Sequence, residues 1–355
     1  MLDFQPSPDF GRLQKVLLRE GEPDRVPFIE LFHDPQIMAY CLQQECPADP
    51  VEALKWQIRF HYEHGYDYCL ARYAFGFPGL QTLLADDTAS LSRGQRGWQD
   101  EHHGPIETWE DFERYQWPDP AAIDYWQFEQ IGALLPDGMR CTSMTPGGVL
   151  ENLIMLMGLE NLCIACAEDR ELVKAVVDRV GAALVAIYES LVDFEWLGAM
   201  WLNDDLGFKT QTMISPKDLR EFIFPWHKAC VDVAHAHGKP VMLHACGNLF
   251  EVMDDIIDTC GFDARHSFED VITPVAQFKR QWGDRIALLG GIDVDVLTRA
   301  SEEECRQYVR RVIAETAPGG GWGLGSGNSV ANYVNPENFL AMLDEGLKCG
   351  GYPLA

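Results

Sequence analysis

Lys239-Pro-Val-Met-Leu-His-Ala-Cys-Gly247 is the stretch of sequence that decides the fold, because it predicts a short buried strand with a polar end. The strand covers 241–243 and leads directly into His244, Cys246 and Gly247. His244 and Cys246 point the same way in extended backbone, since strand side chains repeat every two residues. An apolar strand that ends in reactive side chains is typical of a parallel barrel, whose carboxyl ends carry the active site.

Segments of similar character recur on both sides of this strand, with helical periodicity between most of them. The eight predicted strands cover residues 26–32, 66–73, 139–145, 197–202, 241–243, 262–269, 285–293 and 319–328. Helix-start signals such as Asp49-Pro50 and the capping box from Ser301 to Glu304 separate them. We predict an α/β fold with one domain over 1–355, a (β/α)8 TIM barrel with an N-terminal helical extension at 12–19.

Residues from about 76 to 125 break this alternation. The span contains Trp109 and Trp117 among Asp, Gly and Pro residues and has no clear helical period. We predict an irregular excursion after the second strand, which either covers the barrel mouth or forms a surface β-meander without a role.

Composition excludes several classes of function. The net charge of -27 over 355 residues excludes nucleic acid and anionic membrane surfaces as partners, because both need a basic surface. No apolar run approaches the about 20 residues of a membrane span, and residues 1–6 lack a signal-peptide pattern. Eleven cysteines at irregular spacing fit reduced thiols rather than a disulfide framework. We therefore expect a soluble, cytoplasmic enzyme.

Nearly every predicted strand ends in polar residues, and together they define a candidate site at the carboxyl-end face. Its predicted catalytic acids are Asp204, Asp205 and Glu269. The predicted substrate-binding residues are Glu30, His33, Arg72, Thr145, Asp293, Ser326 and Asn328. Adjacent strand residues face opposite ways, so we expect one of the two neighbouring aspartates to enter the site and the other to cap a helix.

His244 and Cys246 are the strongest metal-ligand candidates. Imidazole and thiolate together suit zinc, which takes four ligands, or three and an open position in catalytic sites. A third ligand must come from another strand, and the predicted set is His244, Cys246 and His266, with the aspartate pair and Glu269 as further donors. The alternative is a buried cysteine beside a hydrogen-bonded histidine.

The order of several short motifs resembles the uroporphyrinogen decarboxylase superfamily over nearly the whole chain. These motifs are Gly21-Glu-Pro-Asp-Arg-Val-Pro27, Asn203-Asp-Asp-Leu-Gly207, Ile214-Ser-Pro216, Ala234-His-Ala-His-Gly-Lys-Pro240, His244-Ala-Cys-Gly-Asn248, Gly290-Gly-Ile-Asp293 and Asn335-Pro-Glu-Asn338. The resemblance implies a (β/α)8 barrel, in agreement with the strand count.

Departures from the family pattern distinguish between its branches. True uroporphyrinogen decarboxylases carry Arg-Gln-Ala-Gly-Arg-Tyr after the first strand, whereas this chain has Glu30-Leu-Phe-His-Asp-Pro35. An acidic mouth opposes a substrate with eight carboxylates, so we reject porphyrinogen decarboxylation. The chain is more similar to the corrinoid-dependent methyltransferases, which bind zinc through His-x-Cys on the fifth strand and a distant Cys on the eighth. The first pair maps onto His244 and Cys246, but Gly325-Ser-Gly-Asn-Ser329 lacks the distant cysteine.

This resemblance implies a methyltransferase that moves a methyl group between a small methyl donor or acceptor and a corrinoid on a partner protein, with zinc assistance. Two alternatives remain open. One is a metal-free decarboxylase or lyase, in which Asp204 or Asp205 handles a proton and Arg72 fixes a substrate carboxylate. The other is a non-catalytic barrel that binds a ligand or a partner.

Overall fold

A parallel β-sheet of seven short strands forms the centre of the computed structural model, which describes residues 2, 4–80, 82–99 and 102–354. The strands follow one another around the sheet in chain order. They are β1 (Tyr68–Leu70), β4 (Arg140–Met144), β5 (Leu197–Asn203), β6 (Val241–His244), β7 (Ala264–His266), β8 (Ala287–Leu289) and β9 (Trp322–Gly323). The structure confirms the α/β class and these seven of the eight predicted strands.

The sheet is buried on both faces. Every residue of β6, β7, β8 and β9 is buried, which explains why β6 and β8 are mainly apolar runs rather than alternating patterns, whereas β7 buries Arg265 and His266. In the parallel register, Asn203 lies opposite His244, and His244 lies opposite His266. The ends of three neighbouring strands therefore meet at one level.

The first predicted strand is attached differently. Residues 26–33 approach the β9 edge through isolated parallel bridges, Phe28 with Leu324 and His33 with Val330. On the β1 side, the hydroxyl of Tyr68 contacts both the backbone nitrogen of Glu30 at 2.8 Å and its carbonyl oxygen at 2.7 Å. A side chain thus takes the place of backbone pairing at this position, and closure into a complete eight-stranded barrel stays a prediction.

Helices surround the sheet and cover its outer face. They are α1 (Phe10–Leu17), α2 (Pro35–Leu42), α3 (Pro50–Glu63), α4 (Trp109–Arg114), α5 (Trp126–Ile131), α6 (Val149–Met157), α7 (Leu159–Glu168), α8 (Arg170–Leu191), α9 (Pro216–Asp218), α10 (Phe224–Ala236), α11 (Val275–Trp282), α12 (Val294–Arg299), α13 (Glu302–Thr316) and α14 (Pro336–Cys349). The predicted caps are confirmed: Asp49 accepts two amides at the start of α3, and Ser301 forms a capping box with Glu304. Within the described residues no single helix has the length and apolarity of a membrane span, and only α6 and α7 together, bent by 95°, pass that test.

The excursion at 76–125 contains β-structure, which is one of the two predicted possibilities, and a short helix, α4, which the sequence pattern did not predict. Its strands β2 (Thr82–Asp86) and β3 (Gln95–Gln99) form an antiparallel hairpin, and residues 81, 100 and 101 lie outside the described part. The side-chain nitrogen of Asn332, after β9, donates to the Asp87 carboxylate at 2.7 Å and to the Leu91 carbonyl at 3.0 Å. The hairpin turn therefore contacts the loops at the carboxyl end of the sheet.

Candidate functional site

Three potential metal ligands converge where β5 and β6 end. The Nε2 atom of His244 lies 3.7 Å from Cys246 Sγ and 3.7 Å from Asp205 Oδ1, and all three ligand atoms lie within 4.8 Å of one another. Asp205 also accepts the backbone amide of Cys246 at 2.9 Å. Gly247, at a φ of +91°, allows this approach, because a Cβ there would lie 2.2 Å from the backbone of Gly207.

The two adjacent aspartates have opposite environments. Asp204 is fully buried, and its carboxylate accepts the amides of 149–151 at the start of α6 and contacts His227 Nε2 at 2.7 Å. Asp205 faces the other way, and its side chain is 40% exposed. The expected division between a capping and a site-facing acid is therefore found, and Asp205 is the acid beside His244.

Hydrogen-bond donors lie closest to Cys246, and the buried Arg265 guanidinium, which contacts the Gly247 carbonyl, acts on it at longer range. Asn328 Nδ2 lies 3.3 Å from its sulfur, and Ser267 Oγ lies 3.6 Å away. Burial, followed by the Asp205 carboxylate, raises the pKa of the Cys246 thiol. The thiol therefore stays protonated unless a positive charge, such as a metal ion, binds beside it. The sequence predicted Asn328 at the site but not Ser267, whose strand-end position was the available signal.

His266 does not join the three ligands as predicted but lies behind His244. The two Nδ1 atoms are 2.8 Å apart, and His266 Nε2 lies 3.3 Å from the carbonyl oxygen of Ser326. Burial lowers the pKa of both rings, that of His244 to about 3, so both are neutral. A carbonyl only accepts, so His266 carries its proton on Nε2 and accepts from His244 at Nδ1. The free lone pair of His244 is then on Nε2, directed at Asp205 and Cys246.

Glu30, in the first predicted strand, continues the buried series of hydrogen bonds that joins His244, His266 and Ser326. Its carboxyl oxygens contact the Ser326 amide at 2.7 Å and the Ser326 hydroxyl at 2.5 Å. Burial raises the pKa of Glu30 to about 8, and the hydrogen bonds of Ser326 only partly offset this effect. Glu30 is therefore mainly uncharged at neutral pH. Hydrogen bonds connect it through Ser326 and His266 to His244.

A cavity of about 410 Å³ opens beside these hydrogen-bonded residues, at the carboxyl ends of 26–33, β1 and β4. It contains two of the predicted substrate-binding residues, His33 and Arg72. The lining residues are Phe32, His33, Asp34, Pro35, Met38, Cys46, Pro50, Ala53, Leu54, Trp56, Gln57, Arg72, Trp126, Gln127 and Met144. His33 is buried and contacts the Tyr66 hydroxyl at 3.0 Å, whereas Arg72 is exposed.

Other predicted site residues have structural contacts. Thr145 accepts the amide of Asn203 at 3.0 Å, and Asp293 caps α12. Glu269 lines a separate, small cavity and is not part of the ligand group found among the described residues. The sequence did not single out Glu151, a half-buried acid close to Asp204 and Asp205. Burial, followed by these two charges, raises the pKa of Glu151 to about 8.

Comparison with known proteins identifies the family. The model of the uroporphyrinogen decarboxylase (URO-D) family matches residues 101–346, which is more than half of the chain. The chain belongs to the URO-D family. This result confirms the predicted superfamily, and the ligand group of this URO-D member lies inside the matched region.

Individual relatives resemble parts of this URO-D family member or its fold. Uroporphyrinogen decarboxylase from Thioalkalivibrio sulfidiphilus is 36% identical over 76 residues, 21% of each chain. The enzyme from Alkalilimnicola ehrlichii is 39% identical over 75 residues, 21% of this chain and 20% of the relative, so the chain spans about a fifth of these relatives. A methyltransferase from Methanosarcina mazei has a TM-score of 0.68 at 16% identity, over 95% of this chain and 97% of that one. This likeness shows the fold.

Proposed function

We propose that this URO-D family member is a methyltransferase with a zinc site formed by Asp205, His244 and Cys246. The convergence of these three donors carries the proposal. Asp205 takes the place of the distant cysteine that is absent from 325–329.

The donor set fits zinc in number, type and spacing. Tetrahedral zinc with bonds of about 2.0–2.3 Å holds its ligand atoms roughly 3.3–3.7 Å apart. The Nε2 of His244 lies 3.7 Å from both the sulfur and the carboxylate oxygen, so small shifts would complete the geometry. The free lone pair on His244 favours occupation by a metal ion, which would displace the proton of Cys246 on binding.

Zinc bound here would lower the pKa of a bound thiol or polarise the atom that carries the methyl group. The protein residues have separate roles around it. His266 and the Ser326 carbonyl hold the tautomer of His244, which fixes its lone pair on Nε2. Asn328 and Ser267 orient the sulfur of Cys246 through their hydrogen bonds.

We further propose that the methyl group moves between a small substrate and a corrinoid on a partner protein, as the superfamily resemblance implies. A structural neighbour with the name methyltransferase supports this choice. Eleven free cysteines fit a reducing compartment, and we place the enzyme in the cytoplasm. We also propose that 26–33 completes the eighth position of the barrel wall, which its bridges to Leu324 and Val330 support.

Metal analysis of the purified protein tests the proposal. We expect about one zinc per chain in zinc-replete wild type, and less than about a tenth of that in His244→Ala and Cys246→Ser. The matched controls are His237→Ala and Cys163→Ser, whose side chains are exposed and outside the ligand group, and both should keep their zinc. Methylcobalamin demethylation with a thiol acceptor should follow the zinc content. Zinc-free wild type from a zinc-replete culture would contradict the metal site.

A metal-free decarboxylase or lyase is the second candidate, because the matched stretches of the two curated relatives come from decarboxylases. In that case Asp205 would hold the proton and Arg72 the substrate carboxylate. Carbon dioxide release by His244→Ala at the wild-type rate would favour this candidate over methyl transfer. Dependence of turnover on His244 and on methylcobalamin would exclude it.

A further inference from the structure

The cavity at the ends of 26–33, β1 and β4 has one cationic group and mostly apolar walls. Phe32, Leu54, Trp56, Trp126 and Met144 supply the apolar surface. A volume of about 410 Å³ lies in the range of small-molecule sites, which combine apolar walls with a few polar anchors. The cavity is therefore suited to a ligand with a compact apolar body.

Arg72 is the anchor. Its guanidinium forms no ion pair with any acid that the structure describes, although the chain has 55 acidic residues and 28 basic ones. Its backbone amide donates to Gln127 Oε1 at 2.8 Å, which fixes that side chain on the cavity wall. The amide nitrogen of Gln127 has no hydrogen-bond partner among the described residues, so it remains a donor beside the guanidinium. Two free donors next to an apolar wall are suited to a carboxylate.

The other titratable groups near the cavity do not pair with the arginine, although the charge of Asp34 acts on it at a distance. Asp34 accepts the Asn332 amide at 2.9 Å and lies 3.4 Å from Arg93, so its charge is already compensated. His33 is buried, and desolvation lowers its pKa, which keeps it neutral. A small void beneath the cavity leads to Glu30, which is mainly uncharged at neutral pH.

The cavity lies close enough to the ligand group for one molecule to reach both. Met144 on its wall lies opposite Trp201 in β5, and Asn203 in the same strand lies opposite His244. Neighbouring strands are about 4.8 Å apart, so two strand spacings separate Met144 from His244, and three, roughly 14 Å, separate Arg72 after β1 from His244. An extended molecule of about this length, held at Arg72, can therefore place its other end near Cys246.

We propose that this cavity binds the substrate of the reaction, an amphipathic monocarboxylate whose carboxylate pairs with Arg72 and whose apolar body fills the space between Trp56 and Trp126. This inference rests on the proposed function, for which it names the substrate class. A single cation favours a monoanion over a phosphate dianion.

Calorimetric titration of the full-length protein as purified tests the proposal, with benzoate as the probe and benzamide as its neutral counterpart. We expect benzoate to bind at least tenfold more tightly than benzamide and more tightly than phenyl phosphate. Arg72→Gln should weaken benzoate at least tenfold and change benzamide less than twofold. Arg299→Gln, which removes an exposed arginine paired with Asp295, should change neither.

Ala53→Phe provides a second variant that leaves the arginine intact. Its added ring should obstruct the apolar part of the cavity, so we expect both benzoate and benzamide to bind at least tenfold more weakly. Equal binding of benzoate and benzamide, tighter binding of phenyl phosphate, or unchanged benzoate binding in Arg72→Gln or Ala53→Phe would each overturn the proposal. Because the titration measures binding rather than turnover, Arg72-dependent benzoate binding without zinc or methyl transfer would contradict only the proposed function.

Discussion

Two sectors of the carboxyl-end face use polar residues in different ways. In the metal sector, formed by Asp205, His244 and Cys246, the side chains contact one another and are held by a second layer of donors. In the cavity sector, formed by the lining of the 410 Å³ cavity, Arg72 has no ion-pair partner among the residues that the structure describes. Under the proposed function, this difference separates reactivity from recognition around the sheet. Buried hydrogen bonds run from His244 through His266 and Ser326 to Glu30, which lines a small void next to His33 and Arg72.

The buried acid Glu30 gives the largest predicted effect, a change in how the free energy of unfolding depends on pH. Glu30 has a pKa of about 8 in the folded state and the ordinary low value when unfolded. Between these values the folded state keeps a proton that the unfolded state loses, so this group makes stability fall as pH rises from about 4 to about 8. Glu30→Gln should remove this loss, which is on the order of 4 kcal/mol.

Urea denaturation at pH 5 and pH 9 measures this difference. The gap in unfolding free energy between the two pH values should shrink in Glu30→Gln and stay unchanged in the exposed control Glu303→Gln. If the free energy of unfolding depends on pH in the same way in wild type and Glu30→Gln, Glu30 is not uncharged in the folded protein.

The aspartate pair gives the next largest effect. Substitutions of these two residues test which of them belongs to the metal sector. Asp204→Asn should lower the free energy of unfolding by about 3 kcal/mol, because an amide nitrogen would face the donors of α6 and His227. Asp205→Asn should change stability by less than about 0.5 kcal/mol and instead weaken zinc binding. Denaturation and zinc competition with a chelator separate these outcomes. A stable Asp204→Asn variant with weakened zinc would reverse the assignment.

Substitution of His266, which supports the metal-ligand candidate His244, should have a smaller effect, on zinc affinity. His266→Phe keeps a ring of similar size but removes the acceptor for His244 Nδ1, so zinc affinity should fall about 10–100-fold. Nitrogen-15 NMR of the wild type should show the His244 proton on Nδ1 in the zinc-free form. Unchanged zinc affinity in His266→Phe would show that His266 does not support His244 as a metal ligand.

Much of this fold follows from local sequence pattern, because buried parallel strands and capped helices have strong local signals. The facing of His244 and Cys246 follows from strand alternation alone. Three features depend on tertiary contacts instead. The hydroxyl of Tyr68 replaces strand pairing at Glu30, the close approach of Gly247 to Gly207 selects Asp205 as the third donor, and His266 is placed behind His244 by register. No local pattern specifies such contacts between distant segments.

X-ray absorption at the zinc edge of the zinc-replete protein tests the central claim most directly. We expect one sulfur at about 2.3 Å and nitrogen or oxygen ligands at about 2.0–2.1 Å. Cys246→Ser should abolish the sulfur signal, whereas Cys349→Ser, whose thiol lies 3.8 Å from Glu345 and outside the ligand group, should retain it. Two or more sulfurs, or a sulfur signal that survives in Cys246→Ser, would contradict a centre built from Asp205, His244 and Cys246.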